Sequence, residues 1–357
     1  MSATRLLLTG IGGFIGHHVA EWILDRTDWE IVGLDSWQYR LRGDTLRIGT
    51  KLLKYATDGR LKLHSVDLAH PISPTMENQI LERQLVKGAT TELPIDYIIN
   101  LASDSHVTRS IHDPSSCWLN NCSLILHMLE FARRVRPKRF IHISTDEVYG
   151  ELPWTAECGH KEWDTVVPSN PYSASKAAQE ALAISYWRTY GVPLMITNTT
   201  NVIGERQDPE KFVPLVIQKI LHGETVQIHA DGDGRIARRV LMDAKNMADA
   251  LLFLLRSVEK IPMYADGHDL RPERVHICGD QEFSVLEVAQ MIAQMLGMPL
   301  KHELVRGDTV RPGYDRRYAL DGQKLRDMGW RQPYSLPQTF RRVSQWALSN
   351  PRWLIRP

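Results

Sequence analysis

A glycine-rich turn between an apolar run and a helical pattern constrains the fold of this chain more than any other feature. The stretch LLLTGIGGFIGHHV (6–19) places Gly10, Gly13 and Gly16 three residues apart. Glycine lets the backbone turn tightly and approach a pyrophosphate, which then lies at the N-terminus of the following helix. The pattern predicts a strand–turn–helix unit that binds a dinucleotide, and simple turn chemistry is the alternative.

Short apolar runs alternate with helical patterns through the first 200 residues. Apolar runs without polar alternation are typical of parallel strands that are covered on both faces. The predicted strands are 5–10, 30–35, 61–67, 97–102, 139–145 and 193–200, and the clearest predicted helix is 114–136. Repeated strand–helix units predict an α/β fold with a doubly wound parallel sheet of the Rossmann type.

The pattern changes near residue 200, where polar segments rich in Arg, Gly and Pro begin. We expect these segments to form a smaller C-terminal substrate-binding region over the carboxyl edge of the sheet. The predicted boundaries are 1–195 for the dinucleotide-binding domain, which also receives about 234–258; 196–233 and 259–346 for the smaller region; and 347–357 for a C-terminal tail.

An acidic residue ends the second predicted strand. Asp35 follows the glycine turn by about 20 residues, where a carboxylate accepts hydrogen bonds from the adenosine ribose. The same carboxylate repels a 2′-phosphate, so the pattern predicts NAD and not NADP as the cofactor. A helix-capping Asp35 is the alternative. Asp67, which ends the third predicted strand, is expected to contact the adenine, with an ordinary loop role as its alternative.

Tyr172 and Lys176 lie four residues apart in SNPYSASKAAQEALA, on one face of a helix that Pro171 can begin. An ammonium near a phenol favours the phenolate and lowers the pKa of the tyrosine. A tyrosine tuned in this way can take a proton from a sugar or alcohol hydroxyl while hydride leaves for nicotinamide. Together with the glycine turn, Asp35 and Thr145, the pair predicts an oxidation step.

Two adjacent carboxylates, Asp146 and Glu147, follow the apolar strand 139–145. Neighbouring carboxyl groups push their pKa values apart, which suits one general acid and one general base. Consecutive residues on a strand point to opposite faces, so both reach one site only if the strand ends near Thr145. A solvated strand end is the alternative.

These motifs together resemble the extended short-chain dehydrogenase/reductase family, and within it the nucleotide-sugar 4,6-dehydratases. The segments that carry the resemblance are TGIGGFIGHHV, NLASDSHVTRSI, STDEVYGE, PSNPYSASKAA, PEKFVPLVI and RPGYDRRYALD. The resemblance implies an enzyme that oxidises C4 of a nucleotide-diphosphate hexose, eliminates water across C5–C6 and returns hydride to C6. The run Thr145-Asp146-Glu147 discriminates most, because similar epimerases and decarboxylases usually lack the adjacent Asp-Glu pair.

The resemblance also implies residue roles. The implied catalytic set is Glu147 as the base at C5, Asp146 as the acid for O6, Thr145 as a ligand of O4, Tyr172 as the base for O4 and Lys176 as a ligand of the nicotinamide ribose. The implied cofactor-binding residues are Gly10, Gly13, Phe14, Ile15, Gly16, Asp35, Asp67, Leu68, Leu101, Ala102, Tyr172 and Lys176. The implied substrate-binding residues are Ser105, His106, Asn121, Asn201, Lys211, Arg239, Arg311 and Tyr314.

Four positions depart from the usual pattern for dTDP-glucose, namely Thr108, Asn198, Val202 and Tyr314. They lie around the expected substrate, so the sugar and the nucleotide stay open between dTDP-glucose and UDP-glucose types. Two other functions remain as alternatives. One is a nucleotide-sugar 4-epimerase or decarboxylase, which has no need for Asp146 and Glu147. The other is a non-catalytic NAD-binding sensor, a class that often loses the Tyr or the Lys.

Bulk composition limits the partners. Basic and acidic residues number 43 and 42, which gives no basis for a nucleic-acid or membrane-surface partner. No apolar stretch approaches the roughly 18 residues that span a bilayer. The four cysteines have no metal-ligand spacing, so we predict no metal site and a cytoplasmic protein with free thiols. The helix 114–136 is apolar on two sides, and the resemblance implies that it pairs with 176–190 in a homodimer.

Overall fold

The computed structural model describes residues 3–37, 51–86, 89–258, 264–265, 268–307, 313 and 315–355. The strands within this part of the chain are β1 Arg5–Thr9, β2 Glu30–Asp35, β3 Leu61–Ser65, β4 Gln84–Val86, β5 Ala89–Thr91, β6 Tyr97–Asn100, β7 Arg139–Thr145, β8 Leu194–Thr199, β9 Asn201–Ile203, β10 Val226–Ala230, β11 Arg238–Asp243, β12 Tyr264–Ala265, β13 His268–Ile277, β14 Glu282–Ser284, β15 His302–Arg306 and β16 Arg317–Tyr318. The α-helices are Phe14–Arg26, Leu53–Thr57, Pro74–Ile80, Val107–His112, Pro114–Val135, Pro171–Tyr190, Phe212–Leu221, Ala244–Arg256, Val285–Leu296, Gln323–Asp327 and Leu336–Ser349, with 3-10 helices at Asp146–Tyr149 and Pro351–Leu354.

The main sheet has eight strands in the order β12-β13-β8-β7-β6-β1-β2-β3. The seven strands from β13 to β3 pair in parallel, and β12 pairs with β13 antiparallel. The order changes direction around β1, from which β2 and β3 lie on one side and β6, β7 and β8 on the other. The predicted doubly wound α/β sheet is therefore confirmed, and its switch point lies beside β1, where such sheets bind ligands.

Both faces of the sheet are buried, which explains the continuous apolar runs. Leu6 and Leu8 belong to one hydrophobic cluster and Leu7 belongs to another, because side chains alternate along a strand. Each fully buried leucine contributes roughly 1.5–3 kcal/mol relative to an exposed one. If polar and apolar residues alternated along β1, one face of this strand would contribute no apolar side chain to its cluster.

The predicted strands 61–67 and 97–102 end earlier than expected, at Ser65 and Asn100. The residues beyond these ends form loops at the carboxyl edge of the sheet. This difference matters for function, because it puts Asp67, Leu101 and Ala102 in loops where backbone and side chains can face a ligand.

A smaller unit with its own hydrophobic cluster follows the sheet. Ile203, Val216, Ile292 and Phe340 pack together there. Three outcomes differ in detail from the predicted boundaries. The strand β11, which falls within 234–258, pairs with β9, β14 and β16 and not with the main sheet. The strand β13, which falls within 259–346, joins the main sheet beside β8. Ala347 and Leu354, which fall in the predicted tail 347–357, are buried in the smaller unit. Among the described helices, none is both long enough and apolar enough to cross a bilayer.

Candidate active site

The glycine turn brings the backbone close to its neighbours. Gly10 has a φ of +70°, and a Cβ at this position would lie 3.0 Å from Cα of Ala102. A Cβ on Gly16 would lie 2.0 Å from the carbonyl oxygen of Gly10. The helix Phe14–Arg26 begins after Gly13 without a side-chain cap, and Phe14 and Ile15 form its first turn. An uncapped helix N-terminus behind a glycine turn is suited to bind a phosphate.

Asp35 holds the glycine turn from the end of β2. Its carboxylate accepts hydrogen bonds from the backbone N–H of Gly12 at 2.9 Å and from that of Trp37 at 3.0 Å. The carboxylate therefore lies at the carboxyl edge of the sheet beside the turn, as a ligand of the adenosine ribose requires. The alternative for Asp35, a helix cap, would involve a helix after Trp37, and residues 38–50 lie outside the described part of the chain.

The other predicted cofactor residues lie in loops along the same edge. The backbone N–H groups of Leu101 and Ala102 each donate to Oγ1 of Thr9 at 3.0 Å. Asp67 accepts from the N–H of Ala69 at 2.9 Å, and Leu68 is buried beside it. The loops after β1, β2, β3 and β6 thus meet at one edge, and their glycines, carboxylate and open helix end fit a dinucleotide such as NAD.

The two adjacent carboxylates lie where the strand changes into a helical turn. The strand β7 ends at Thr145, and the 3-10 helix Asp146–Tyr149 begins at the next residue. The hydroxyl of Thr145 accepts from the N–H of Glu147 at 3.3 Å and donates to Oδ1 of Asp146 at 3.1 Å. The change of backbone geometry at Thr145 removes the strand alternation, so both carboxylates are buried in the same region.

The environments of the two carboxyl groups differ. Burial and the charge of Glu147 raise the pKa of Asp146 to about 7. Its Oδ2 is buried and has no hydrogen-bond partner among the described residues. Glu147, by contrast, accepts a hydrogen bond at its Oε2 from Nδ2 of Asn170 at 3.2 Å. The protonated form is favoured at Asp146, which is what a general acid near neutral pH needs.

Tyr172 and Lys176 lie on the helix Pro171–Tyr190. Burial, Glu147 and Asp146 raise the pKa of Tyr172 well above its usual value near 10. The expectation that Lys176 lowers this pKa is therefore not met. Burial lowers the pKa of Lys176 itself to about 7, and its ammonium donates to the carbonyl oxygen of Ile143 at 2.7 Å.

Two predicted substrate-binding cations approach the carboxylates from the smaller unit. Arg239 in β11 donates from Nη2 to the carbonyl oxygen of Asp315 at 2.7 Å, and its positive charge partly opposes the rise in the pKa of Asp146. Burial lowers the pKa of Lys211, while nearby carboxylates that include Glu147 oppose this shift. Asn201 is half-buried at the start of β9. A diphosphate would find positive charge on this side.

The remaining predicted substrate-binding residues lie in different environments. Nε2 of His106 lies 3.2 Å from a carboxylate oxygen of Glu210, and Ser105 beside it is exposed. Asn121 is fully buried and donates to Oγ of Ser175 at 2.8 Å, so its amide holds two helices together. The predicted residues Arg311 and Tyr314 lie outside the described residues.

Two residues near the carboxylates were missed from the sequence. Asn170 contacts Glu147, as described above. Tyr318 is buried near Glu147, and the pKa of its phenol is raised first by burial and then by the charge of that carboxylate. The guanidinium of Arg239 lies 4.3 Å from the ring centre of Tyr318. Asn before a proline signals a helix cap, but no local pattern links residue 318 to residue 147.

Comparisons with known proteins agree with this geometry. The sequence model of the NAD dependent epimerase/dehydratase family matches residues 6–266. The dTDP-glucose 4,6-dehydratase of Xanthomonas campestris pv. campestris is 35% identical over 78% of this chain and 80% of its own. A trifunctional UDP-glucose 4,6-dehydratase, epimerase and reductase of Arabidopsis thaliana is 30% identical over 98% of this chain. Only 48% of that plant protein is covered, so this chain spans about half of its length.

A solved structure is similar over the whole chain. The dTDP-glucose 4,6-dehydratase of Streptomyces venezuelae, crystallised with NAD and TYD bound, superposes with a TM-score of 0.79 at 28% sequence identity. The match covers 98% of each chain.

Proposed function

The chain belongs to the NAD dependent epimerase/dehydratase family, and from this premise we propose that it is an NAD-dependent nucleotide-sugar 4,6-dehydratase. Its substrate is a nucleotide-diphosphate hexose of the dTDP-glucose or UDP-glucose type, and its product is the 4-keto-6-deoxyhexose. One observation carries the proposal: Asp146 and Glu147 are buried together in a turn beside Tyr172, with different partners.

The first half of the reaction is an oxidation at C4. NAD supplies the hydride acceptor and, in its oxidised form, a positive charge. Tyr172 takes the proton of the C4 hydroxyl as the phenolate, a form that the positive charges of oxidised NAD and of protonated Lys176 would favour against the raised pKa of the phenol. Thr145 orients the C4 hydroxyl with its own hydroxyl. Lys176 supplies positive charge beside this site when it is protonated. The carbon thereby loses a hydride and the oxygen loses a proton, which leaves a ketone.

The second half is an elimination that only a dehydratase needs. The C4 ketone acidifies the C5–H bond, so Glu147 can remove that proton as a general base. The C6–O bond breaks as Asp146 donates its proton, and the hydroxyl leaves as water. Hydride then returns to C6 and a proton to C5, which balances the loss of one water. The pKa of about 7 at Asp146 supports its role as the acid.

One experiment separates this proposal from its alternatives. The protein is incubated with dTDP-, UDP-, GDP- and CDP-hexoses, and the molecular masses of the products are determined by mass spectrometry. A 4,6-dehydratase removes one water from one of them. A 4-epimerase and a sensor both leave the mass unchanged, and a decarboxylase, which acts on a uronic acid, removes no water from a hexose.

We further propose a homodimer that pairs through the helices Pro114–Val135 and Pro171–Tyr190. Trp118, Leu119 and Leu126 on the first helix and Tyr190 on the second are large apolar side chains that remain exposed in the single chain. Burying such side chains against a second copy is favourable. The cytoplasmic location stays a prediction from the sequence.

A further inference from the structure

The turn that carries Asp146 and Glu147 is tethered on both sides. Before the turn, the carbonyl oxygen of Thr145 accepts a hydrogen bond from Nδ2 of Asn198 at 3.0 Å. At its end, the hydroxyl of Tyr149 accepts one from Nη1 of Arg274 at 3.0 Å, and it also contacts the carbonyl oxygen of Glu162 at 3.0 Å and Nε2 of His276 at 2.9 Å. These two tethers lie on either side of the two carboxylates.

Both tethers lead to the same buried ion pair. Nδ2 of Asn198 also donates to Oε1 of Glu180 at 2.8 Å, and Nη2 of Arg274 donates to Oε2 of the same carboxylate at 2.8 Å. The side chains of Glu180 and Arg274 are each only 3% exposed. Each carboxylate oxygen of Glu180 therefore accepts from one of the two tethering side chains. Loss of either donor would leave a buried carboxylate oxygen without that hydrogen bond.

The ion pair also touches the helix that carries the oxidation residues. Glu180 lies four residues after Lys176 on the helix Pro171–Tyr190, and so on the same face. Arg274 comes from β13, the strand next to β8. The pair thus connects three elements: the turn Asp146–Tyr149, the helix of Tyr172 and Lys176, and the strand β13 of the main sheet.

Burial of an ion pair is a weak source of stability, because desolvation offsets the attraction between the charges. A role in geometry is the better explanation for its position. The turn lies beyond Thr145, which is the last residue of β7 that pairs with β8. Tyr172 has an independent support, since its backbone N–H donates to Oγ of Ser110 at 3.1 Å.

We propose that Glu180 and Arg274 are positioning residues for the elimination step. They hold the turn so that Asp146 and Glu147 face the sugar that Tyr172 and Thr145 oxidise. Neither residue touches the reacting atoms. This inference rests on the proposed dehydratase function, and its consequence is specific: disturbing the pair slows elimination more than oxidation.

The test is Arg274→Lys. Lysine keeps a cation for Glu180, but its ammonium lacks the planar fork that reaches Glu180 and Tyr149 at once. In single turnovers, the rise of nicotinamide absorbance reports oxidation, and solvent deuterium at C5 reports proton removal. We expect elimination to slow by roughly 100-fold, the size of effect that a misplacement of about 1 Å produces. Oxidation and substrate affinity should stay close to wild type.

The matched control is Arg206→Lys. Arg206 forms a similarly buried pair with Glu21, at 2.7 and 2.9 Å, away from the turn. This variant should leave both half-reactions unchanged. Equal slowing of the two half-reactions in Arg274→Lys, or the same preference for elimination in Arg206→Lys, would overturn the positioning role.

A double variant separates positioning from stability. Arg274→Met leaves the charge of Glu180 buried without its partner and should lower the melting temperature. Glu180→Gln in the same chain removes that charge, so the melting temperature should recover while elimination stays slow. Recovery of elimination as well would refute the proposal. A wild-type protein that removes water from none of the four sugar nucleotides would instead refute the dehydratase function.

Discussion

The side-chain amide of Asn170 donates to Oε2 of Glu147 at 3.2 Å, while the oxygen of the same amide accepts from the N–H of Ser173 at 3.0 Å. One residue therefore caps the helix of Tyr172 and orients the carboxylate proposed as the base. The contact fixes Glu147 relative to the first turn of that helix. The oxidation and elimination groups are thus linked by a single side chain.

Glu147→Gln is the direct test of the proposed base. Glutamine keeps the size of the side chain but cannot accept a proton at neutral pH. Loss of one general base should slow elimination by roughly 100- to 10,000-fold. Because oxidation is less affected, reduced nicotinamide and the 4-keto hexose should accumulate and be visible by absorbance in a single turnover. Tyr172→Phe should abolish that absorbance signal.

Heavy water provides an independent check on the same residue. The proton that Glu147 removes can exchange with solvent, so the wild-type product should carry one deuterium at C5. If Glu147→Gln eliminates water at the wild-type rate, another group is the base and the paired-carboxylate mechanism fails.

Asn170→Ser tests the link between the cap and the base. Serine is also a good N-cap, so the free energy of unfolding should change by no more than about 1 kcal/mol. The amide that donates to Glu147 is lost, however, and elimination should slow while the nicotinamide signal still rises. Thermal melts and single-turnover kinetics measure the two effects. A variant that melts as wild type and eliminates as fast would show that the contact with Asn170 is dispensable.

Asp35→Ala should weaken retention of the cofactor. Hydride leaves and returns within one turnover, so NAD need not dissociate and should co-purify with the protein. Asp35 both binds the N–H of Gly12 and is placed to accept from the ribose, so its loss removes two supports. The nucleotide released by denaturing the protein identifies the cofactor. Recovery of NADP alone from the wild-type protein would contradict the assignment of Asp35.

Local patterns in the sequence were enough to predict six of the eight strands of the main sheet. Leu6, Leu7 and Leu8 form a continuous apolar run because the two faces of β1 are both buried. The start of the helix Pro114–Val135 could likewise be predicted, because Asp113 caps it and accepts from the N–H of Ser116. Such signals act over a few residues and need no knowledge of the tertiary fold.

Long-range contacts could not be predicted in the same way. Arg274 and Glu180 are 94 residues apart, and nothing in the run HDLRPERVHI indicates an ion pair. The strand β13 was not predicted, because Pro272 and the many polar residues of this run are untypical of a buried parallel strand. The pKa of Tyr172 was predicted in the wrong direction, because its burial and its distance from two carboxylates depend on the packed structure.

The proposed homodimer predicts a light-scattering mass of two chains at micromolar concentration. Leu119 on the helix Pro114–Val135 is 65% exposed in the single chain. Leu119→Glu would place a charge in the contact and should yield a monomer, since an unpaired charge is costly to bury. Leu304 in β15, which is 54% exposed, gives the matched control. Leu304→Glu should leave the mass unchanged, and a wild-type monomer would contradict the pairing.

The pH dependence of elimination follows from the raised pKa of Asp146. Burial and Glu147 raise it to about 7, so this carboxyl group is protonated below that pH and ionised above it. A general acid acts only while it holds its proton. The elimination rate should therefore fall as the pH rises through about 7, by about tenfold per pH unit above it. Deuterium at C5, followed after oxidation is complete, measures this step.

Asp146→Asn provides the control, because asparagine does not titrate. Its elimination should be slow, and the fall that wild type shows through about pH 7 should disappear. Burial also lowers the pKa of Lys176 to about 7, but Lys176 belongs to oxidation, so its titration should appear in the rise of nicotinamide absorbance. A wild-type elimination rate that is constant between about pH 6 and 8 would remove Asp146 from the role of acid. The same fall in Asp146→Asn would assign the titration to another group.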